Sequence, residues 1–431
     1  MSKKIKEYIT RIKKSKDGRT LVANFSYLTL LQVAGYIFPL ITMPYLARVI
    51  GVEGFGKIAF ASAIIVWFQT VSDWGFNFTA TRDVAKNRDN KEKVSEIFSN
   101  VLWARCILTV VSFLLLVITI LLIPKFKENA SLILVTFLLV PGHIMFPDWF
   151  FQAVERMKYI TILNLLSKLL FTIVVFVFIK EKSDYILQPL FTSLGYLISG
   201  IIAMYLIINK WGVKLKRPLF REILKTIKGS TDVFINNIMQ NLYNSFSVML
   251  LGFFGGPVSN GLLDAGSKFV AIVQQFMSVI SRTFFPFLSR RIDKHTLYSK
   301  FSFFIALLFT VLLFIFAPII IKLFFTQEFN DAILVLRIMS FSILFLSLSN
   351  IYGTNYMIIQ GYEKQLRNIT FISSIIGFVV SFPLIYFFDY IGAAFTIVFT
   401  RSLLGLLIAY FARKIKRNLL KTEIFAHDEF E

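Results

Sequence analysis

Long runs of hydrophobic residues, separated by short polar and basic segments, occupy most of the chain. Two of these runs, Ile107 to Ile123 and Phe303 to Phe325, are long enough to cross the hydrocarbon core of a bilayer as helices. A transmembrane barrel would show short segments of alternating polarity instead. The pattern predicts an all-α polytopic membrane protein with twelve transmembrane helices. The predicted spans cover residues 21–45, 58–80, 101–123, 130–152, 159–179, 185–208, 232–255, 262–285, 301–321, 331–358, 368–388 and 391–412.

The basic residues are distributed unevenly between the two sides that these spans create. With the N-terminus in the cytoplasm, 33 of the 46 lysine and arginine residues fall in inner segments, 7 in outer loops and 6 within spans. Cytoplasmic loops of membrane proteins carry the excess of Lys and Arg. The sequence therefore predicts both termini in the cytoplasm. The net charge of +21 then reflects orientation rather than a nucleic-acid partner.

The composition is typical of a membrane protein and argues against disulfides and metal sites. Hydrophobic residues make up 56% of the chain and charged residues 16%, which is too apolar for a soluble protein of 431 residues. The single cysteine, Cys106, excludes a disulfide within one chain and a multi-cysteine metal site. The three histidines, His143, His295 and His427, are scattered along the chain, so no metal site is predicted.

The segment GVEGFGK, from Gly51 to Lys57, has the glycine and lysine spacing of a phosphate-binding loop. In such a loop a Ser or Thr after the lysine holds magnesium, and here that position is Ile58. The segment also falls in a predicted outer loop, where ATP is absent. We interpret it as a turn between two helices. The sequence thus predicts that the chain does not itself hydrolyse ATP, and it predicts no catalytic residues.

The spans divide into six plus six around the longest inner segment, residues 209–231. This segment mixes basic residues with Leu, Phe and Ile, which is typical of either an amphipathic helix on the inner leaflet or a solvated linker. An offset of 205 residues aligns Gly56 with Gly261, which suggests two parallel repeats of the kind found in transporters. The predicted domains are a basic cytoplasmic tail at 1–20, an N-terminal six-helix bundle at 21–208, a basic cytoplasmic linker at 209–231, a C-terminal six-helix bundle at 232–412 and a cytoplasmic C-terminal tail at 413–431.

Five charged residues lie deep within predicted spans, where each is costly unless it has a partner, water or a ligand. At roughly 1.5 Å per residue, Lys168 lies about 14 Å from the inner end of its span and Arg401 about 15 Å from the outer end. Lys268 and Arg337 lie about 9 Å from their outer ends, and Asp73 about 11 Å from its inner end. Four of the five are positive, which favours a cavity that receives an anion.

Some of these charges also have a structural interpretation. Asp264 and Lys268 are four residues apart on one helical face, so they can simply neutralise each other. Asp73 can form an interior ion pair with one of the cations, or take part in ion coupling. For Lys168 and Arg401 no acidic residue lies three or four positions away, so a ligand role is strongest there.

Other polar groups near the predicted membrane surfaces have simpler explanations. Arg105 and Arg282 lie within about a turn of the inner interface, and snorkelling of their side chains to the headgroups is the favoured interpretation. His143 and Asp148 could relay a proton, but a polar rim at the interface is favoured over that role.

Several stretches together resemble the polysaccharide-transporter branch of the multidrug and oligosaccharidyl-lipid flippase superfamily, which includes the Wzx-type O-antigen flippases. They run from the first predicted span to the eighth, and twelve spans match the whole length of that family. The stretches are MPYLARVIGVEGFGKIAFA (Met43 to Ala61), DWGFNFTATRDVA (Asp73 to Ala85), FPDWFFQAVERMKYITILNLLSKLL (Phe146 to Leu170), MLLGFFGGPVSNGLLDAGSKF (Met249 to Phe269) and FFPFLSRR (Phe284 to Arg291).

This resemblance implies two six-helix bundles that form a V-shaped alternating-access transporter around a central cavity. The implied cargo is an undecaprenyl-diphosphate-linked oligosaccharide, moved from the cytoplasmic to the outer leaflet for O-antigen, capsule or exopolysaccharide synthesis. On this interpretation the cavity cations Lys168, Arg401, Arg337 and Lys268 bind the substrate, and Asp73 serves in coupling or an ion pair.

The same resemblance sets the expected surroundings of the protein. It implies a multi-pass protein of the bacterial cytoplasmic (inner) membrane, whose partners are the lipid-linked oligosaccharide and the membrane lipids. No cofactor is expected, while coupling to protons or sodium ions and a complex with the polysaccharide polymerase stay open.

Two other functions fit the twelve-span pattern less well. A cation-coupled multidrug exporter of the same superfamily would favour an acidic cavity for cationic drugs, whereas the deep charge here is net positive. A membrane-embedded polysaccharide polymerase or ligase would need a large outer loop with acid and base residues, and the longest outer segment is about a dozen residues without a histidine.

Overall fold

The computed structural model describes residues 16–428, and every regular element within them is a helix. The prediction of an all-α fold is confirmed for this part of the chain. The predicted N-terminal tail at 1–20 lies largely outside the described residues, as do residues 429–431 of the predicted C-terminal tail.

Helices α1 to α9 precede the long inner segment. Their bounds are α1 Lys16–Asp73, α2 Phe76–Lys86, α3 Lys91–Leu122, α4 Pro124–Glu128, α5 Ala130–Phe137, α6 Leu139–Met145, α7 Asp148–Ala153, α8 Met157–Phe178 and α9 Leu187–Lys210, with a 3-10 turn at Lys182–Ile186.

Helices α10 to α16 follow it. Their bounds are α10 Phe220–Asn241, α11 Ser245–Phe254, α12 Gly256–Arg290, α13 His295–Phe324, α14 Ala332–Ser340, α15 Ser342–Leu348 and α16 Glu363–Asp428, with a π-helix at Ser349–Ile358 and 3-10 turns at Ile292–Lys294 and Gln327–Phe329.

Eight helical stretches within residues 16–428 are long and apolar enough to cross a membrane. They are Thr29–Lys86, Lys91–Leu122, Ala130–Ala153, Met157–Phe178, Lys182–Lys210, Ile292–Phe324, Ala332–Ile358 and Glu363–Asn418. The first and last each hold two predicted spans, and the chain leaves helical geometry between these spans at Gly51 (φ 63°) in α1 and at Asp389 (φ 52°) in α16. The predicted spans at 232–255 and 262–285 are not among the eight stretches. The protein is a multi-pass membrane protein, and the count of twelve spans stays a prediction.

The chain forms two compact units. The first unit joins the chain up to Ile50 with Ile64–Asn237, and the second joins Gly51–Ala63 with the chain from Ile238 onward. The border at residue 51 coincides with the kink in α1. A short helical segment from the N-terminal half therefore belongs to the second unit.

An aromatic cluster forms the core of the first unit. Phe98, Trp149, Phe150 and Phe151 are almost completely buried. The Phe98 ring centroid lies 5.6 Å from that of Trp149 and 5.5 Å from that of Phe150. Aromatic pairs at such distances add to the stability that burial alone provides. The cluster fixes α7 against α3.

The segment at 209–231 is held to the first unit rather than free in solvent. The backbone N–H groups of Lys214 and Lys216 donate to the hydroxyls of Ser95 and Ser99, at 3.1 and 2.9 Å. Helix α10 then begins at Phe220. The helix agrees with the amphipathic-helix alternative for this segment.

Trp74 holds α10 in place. Its ring stacks on Phe234 with a centroid distance of 3.9 Å, and its Nε1–H donates to the carbonyl of Ile227 at 3.1 Å. Gly75 beside it has a φ of 79°, and a Cβ there would lie 2.6 Å from Cβ of Val233. Glycine at this position therefore provides both the turn and the close approach of α10.

Two glycines form a close backbone contact in the second unit. A Cβ on Gly56 would lie 1.6 Å from the carbonyl oxygen of Pro257 and 2.8 Å from the backbone nitrogen of Gly261. A Cβ on Gly261 would lie 2.1 Å from the carbonyl oxygen of Val52. The two glycines that the 205-residue offset aligns thus meet in space. The segment that resembles a phosphate-binding loop is here a helix-packing surface.

Candidate functional site

Arg401, on α16 in the second unit, is held by neutral groups. Its Nη1 donates to Oγ of Ser342 at 3.0 Å, and its Nη2 donates to Oδ1 of Asn244 at 3.1 Å. The Tyr243 side chain interacts with the guanidinium as well. Its Nε is buried without a hydrogen-bond partner among the described residues. The hydrogen-bonding capacity of this guanidinium is therefore not fully used within the described residues.

No carboxylate of the described residues forms an ion pair with Arg401. Amide and hydroxyl groups orient a guanidinium but leave its positive charge uncompensated. Removing such a charge from water is costly, and an arriving anion offsets part of that cost. A guanidinium can also grip a phosphate through two parallel hydrogen bonds. The arrangement is chemically suited to bind an anionic group.

Lys168, the second cation predicted at mid-membrane, lies on α8 in the first unit and is half-buried. Its backbone carbonyl accepts a hydrogen bond from the Thr172 hydroxyl at 2.8 Å. Within the described residues no ion pair or hydrogen bond of its ammonium group is present. Its charge, like that of Arg401, lacks an acidic partner there.

Lys268 and Arg337, both in the second unit, have local partners. Lys268 on α12 forms an ion pair with Asp264, as the neutralisation alternative predicts, and lies 5.6 Å from the ring centroid of Phe55. Arg337 on α14 lies over the ring of Phe314 at 5.4 Å, and its Nε donates to the Phe314 carbonyl at 3.4 Å. A substrate that used either cation would compete with these contacts.

Asp73, at the end of α1, pairs with Arg105 of α3 in the first unit. The Arg105 side chain is 3% exposed and that of Asp73 is 24% exposed. Asn77 adds a further acceptor for the same Nη2 at 3.4 Å. The snorkelling interpretation of Arg105 is therefore wrong, because its guanidinium is buried against a carboxylate. Of the two alternatives for Asp73, the structure contains the interior ion pair.

His143 and Asp148 lie near this ion pair in the first unit. The His143 ring packs on Tyr196 with centroids 4.2 Å apart. Asp148 begins α7 and accepts the Trp149 backbone N–H at 2.8 Å. Both interact electrostatically with Arg105. Both residues are half-buried, and the preference for a polar rim at the membrane interface over a proton relay stays a prediction.

Sequence reasoning missed the neutral partners of Arg401. Ser342 and Asn244 are ordinary polar residues in apolar segments, and neither lies near Arg401 along the chain. The available signal was their polarity within predicted spans, where a polar side chain needs a partner. Which partner it meets depends on the packing of distant helices.

The family of the chain is shown by a family match and by two proteins that are similar over nearly their whole length. Residues 21–292 match the family described as polysaccharide biosynthesis protein. A protein of Escherichia coli (strain K12) named as an O-antigen transporter is 30% identical over 405 residues, which cover 92% of this chain and 98% of that protein. This chain belongs to the polysaccharide biosynthesis protein family. A protein of Shigella dysenteriae with the same name is 27% identical over 391 residues, covering 89% of this chain and 98% of that protein.

Solved structures share the fold. The lipid II flippase MurJ in an inward closed conformation gives a TM-score of 0.73 at 16% identity, covering 91% of this chain and 87% of that one. An inward-facing multidrug resistance MATE family transporter of the MOP superfamily gives 0.61 at 16% identity, covering 88% and 96%. The family member therefore has the fold of these MOP superfamily transporters. The relatives named as O-antigen transporters support a transporter rather than an enzyme, and the family match confirms the predicted resemblance to polysaccharide transporters.

Proposed function

We infer that this family member is a flippase for lipid-linked oligosaccharides. In this proposal it moves undecaprenyl-diphosphate-linked repeat units from the cytoplasmic to the outer leaflet of the bacterial inner membrane. The units then serve synthesis of O-antigen, capsule or exopolysaccharide. Both termini lie in the cytoplasm, and residues 209–231 link bundles at 21–208 and 232–412.

The proposal depends mainly on the environment of Arg401. A diphosphate must pass through the hydrophobic depth of the membrane, where an unpaired anion is costly. Arg401 offers a buried guanidinium that is oriented by Ser342 and Asn244 and has no carboxylate partner among the described residues. Lys168 offers a second cation without an acidic partner there. We assign Arg401 to the diphosphate, and Lys168, Arg337 and Lys268 remain proposed substrate-binding cations.

Relatives support a glycan cargo. The similar Escherichia coli protein is named as an O-antigen transporter, and the MurJ neighbour is a lipid II flippase. The MATE neighbours share the fold, so the fold alone does not separate a flippase from a multidrug exporter. A cationic drug would be repelled by Arg401, and this favours the flippase.

Deletion of the gene in its own bacterium tests the proposed function. We expect lipid-linked repeat units to accumulate facing the cytoplasm and the surface polymer to disappear, with both restored by the gene on a plasmid. Sensitivity to cationic drugs should not change. Normal surface polymer in a deletion strain without a paralogue would contradict the flippase, and a gain in drug sensitivity alone would favour the exporter.

A further inference from the structure

Residues 214–228 expose apolar and basic side chains next to one another. They begin just after α9, whose end at Lys210 is also the end of a stretch that is long and apolar enough to cross a membrane. They therefore lie close to one surface of the membrane. All six lysine and arginine residues among them are exposed. So are four large apolar residues, Leu215, Leu219, Phe220 and Leu224.

One side of α10 is fixed to the first unit. Ile223 and Ser230 are 5% and 1% exposed, and the hydroxyls of Ser230 and Thr79 are 2.7 Å apart. Trp74 donates to the carbonyl of Ile227 on the same side of the helix. These contacts come from α2 and from the turn between α1 and α2. They fix the rotation of α10 about its own axis, and this rotation determines which side chains stay exposed.

The exposed side of α10 divides into an apolar stripe and a basic stripe. Successive residues of an α-helix turn by about 100°. The apolar stripe, Phe220 and Leu224, therefore spans about 40°. The basic stripe, Arg221, Lys225 and Lys228, follows about 40–100° beyond Leu224. An apolar stripe beside a basic one is typical of a helix that lies in the interface of a membrane.

We propose that α10 is a docking surface for the anionic headgroups of membrane phospholipids. Phe220 and Leu224 enter the boundary between headgroups and acyl chains, while Arg221, Lys225 and Lys228 contact the phosphate oxygens. The predicted orientation places this surface in the cytoplasmic leaflet. The lipids that it binds are not transported, so the surface goes beyond the proposed flippase function.

The charge of the surface favours anionic lipids over other partners. Clusters of roughly four to eight Lys and Arg on an amphipathic helix beside a membrane are typical of binding to anionic lipids. Lys216 forms an ion pair with Glu92 at 3.7 Å, whereas within residues 16–428 the three cations of the basic stripe form none. A zwitterionic leaflet would leave their charge uncompensated. A soluble anion would compensate it but would leave the apolar stripe in water.

Thermal melting of the detergent-purified full-length protein with added lipid tests the surface. The probes are phosphatidylglycerol and, as the neutral comparison, phosphatidylcholine. A lipid that binds the folded protein raises its melting temperature. Because α10 is bound to the first unit, we expect phosphatidylglycerol to raise the melting temperature more than phosphatidylcholine does. High salt should reduce this difference, since it screens exposed charges.

Removal of the basic stripe should remove the preference for phosphatidylglycerol. In Arg221→Gln/Lys225→Gln/Lys228→Gln, the lipid concentration that gives half of the rise should increase roughly tenfold or more, since each basic residue beside an anionic surface adds to the attraction. The matched control should respond like the wild type; it replaces three exposed cations of α16, in Lys364→Gln/Arg367→Gln/Lys414→Gln. Equal responses of the wild type and the α10 variant, or equal losses in the two variants, would overturn a lipid-binding surface on α10.

A fluorescence measurement in vesicles tests the apolar stripe without removing any cation of α10. Leu224→Cys in a Cys106→Ser background carries one thiol for a bimane label, which nitroxide-labelled lipids quench on contact. Gly229→Cys is the matched control, because Gly229 is exposed about 140° around the helix from Leu224. A Cβ on Gly229 also meets no atom within 4 Å.

In vesicles of phosphatidylethanolamine and phosphatidylglycerol, we expect strong quenching of the label at position 224 and weak quenching at position 229. Equal quenching at the two positions would overturn the membrane contact and favour a protein partner for α10. Neither the melting nor the quenching depends on transport. Normal surface polymer in the deletion strain would therefore contradict the flippase and leave the lipid-binding surface standing.

Discussion

Buried arginines occupy two different environments in this protein. Arg105 lies against the carboxylate of Asp73, so its charge is compensated within the first unit. Arg401 is oriented by a hydroxyl and an amide, which do not compensate it. An ion pair of the first kind maintains packing, whereas a cation of the second kind gains most from a ligand. The two residues should therefore fail differently when replaced.

Replacing Arg401 should impair transport without unfolding the protein. Arg401→Ala removes a charge whose burial is costly, so insertion and thermal stability should stay near wild type. Transport should fall at least tenfold, the loss expected for hydrogen bonds to a charged group at about 1.5–3 kcal/mol. Arg401→Lys should also impair it, because an ammonium lacks the two-pronged fork for phosphate.

The measurement is surface-polymer complementation together with melting of the purified protein, with Lys168→Arg as the charge-conserving comparison. Complementation by Arg401→Ala at wild-type level would refute the ligand role. A large drop in its melting temperature would point instead to a structural cation.

Replacing Arg105 should have the opposite signature. Arg105→Ala leaves the carboxylate of Asp73 partly buried without its partner, and breaking a buried ion pair costs about 3–5 kcal/mol. We expect a clear fall in melting temperature, partly restored in the double variant Arg105→Ala/Asp73→Ala. If the single and double variants both had the melting temperature of the wild type, the Asp73–Arg105 pair would not stabilise the fold.

Depth along a span identified Lys168 and Arg401 from the sequence alone, because hydropathy locates a span to within a few residues. It could not identify their neighbours. Asn244, which binds Arg401, is separated from it by 157 residues along the chain. In the same way, Asp73 and its partner Arg105 are 32 residues apart and lie on different helices. Such contacts depend on how helices pack, and a single sequence does not encode them in its periodicity.

At the scale of elements, glycines determine where α1 bends and where it contacts α12. The sequence located the hydrophobic runs but implied a loop over residues 46–57. The structure continues α1 through this segment with a kink at Gly51. The reason is that Gly51–Ala63 packs in the second unit, with Phe55 set edge-on against Phe329 at 5.5 Å. Tertiary packing keeps helical a stretch that local signals describe as a turn.

Two neighbouring substitutions separate packing from phosphate binding in this segment. Gly56→Ala would place a methyl group 1.6 Å from the carbonyl oxygen of Pro257, so the backbones must separate and stability and transport should both fall. Lys57→Ala should keep most transport, because Lys57 forms a surface ion pair with Glu53, and such pairs contribute about 0–1 kcal/mol.

Gly35→Ala is the matched control, since a Cβ there meets no atom within 4 Å. The measurements are surface-polymer complementation and the melting temperature of each of the three variants. Loss of transport in a normally inserted Lys57→Ala protein would support a phosphate-binding role for GVEGFGK. Wild-type transport and melting temperature in the Gly56→Ala variant would refute the close backbone contact.

At the scale of the whole molecule, composition and hydropathy were sufficient for the class of protein. An all-helical, multi-pass membrane protein follows from long apolar runs, and family membership agrees with the resemblance of short motifs. The number of spans is less accessible, because α1 and α16 each hold two predicted spans and the predicted spans at 232–255 and 262–285 are not among the eight long apolar stretches.

Orientation in the membrane is the whole-molecule property that the basic residues determine, and it sets the direction of the proposed transport. We expect both termini in the cytoplasm, because 33 basic residues then lie inside and 7 outside, and the opposite orientation would carry the larger set across the membrane. Cys106 is the only cysteine, so Lys125→Cys and Lys225→Cys in a Cys106→Ser background each carry one thiol. An impermeant maleimide should label Lys125→Cys in intact cells and Lys225→Cys only after permeabilisation. Labelling of Lys225→Cys in intact cells would invert the topology and with it the inner-to-outer direction of the flippase.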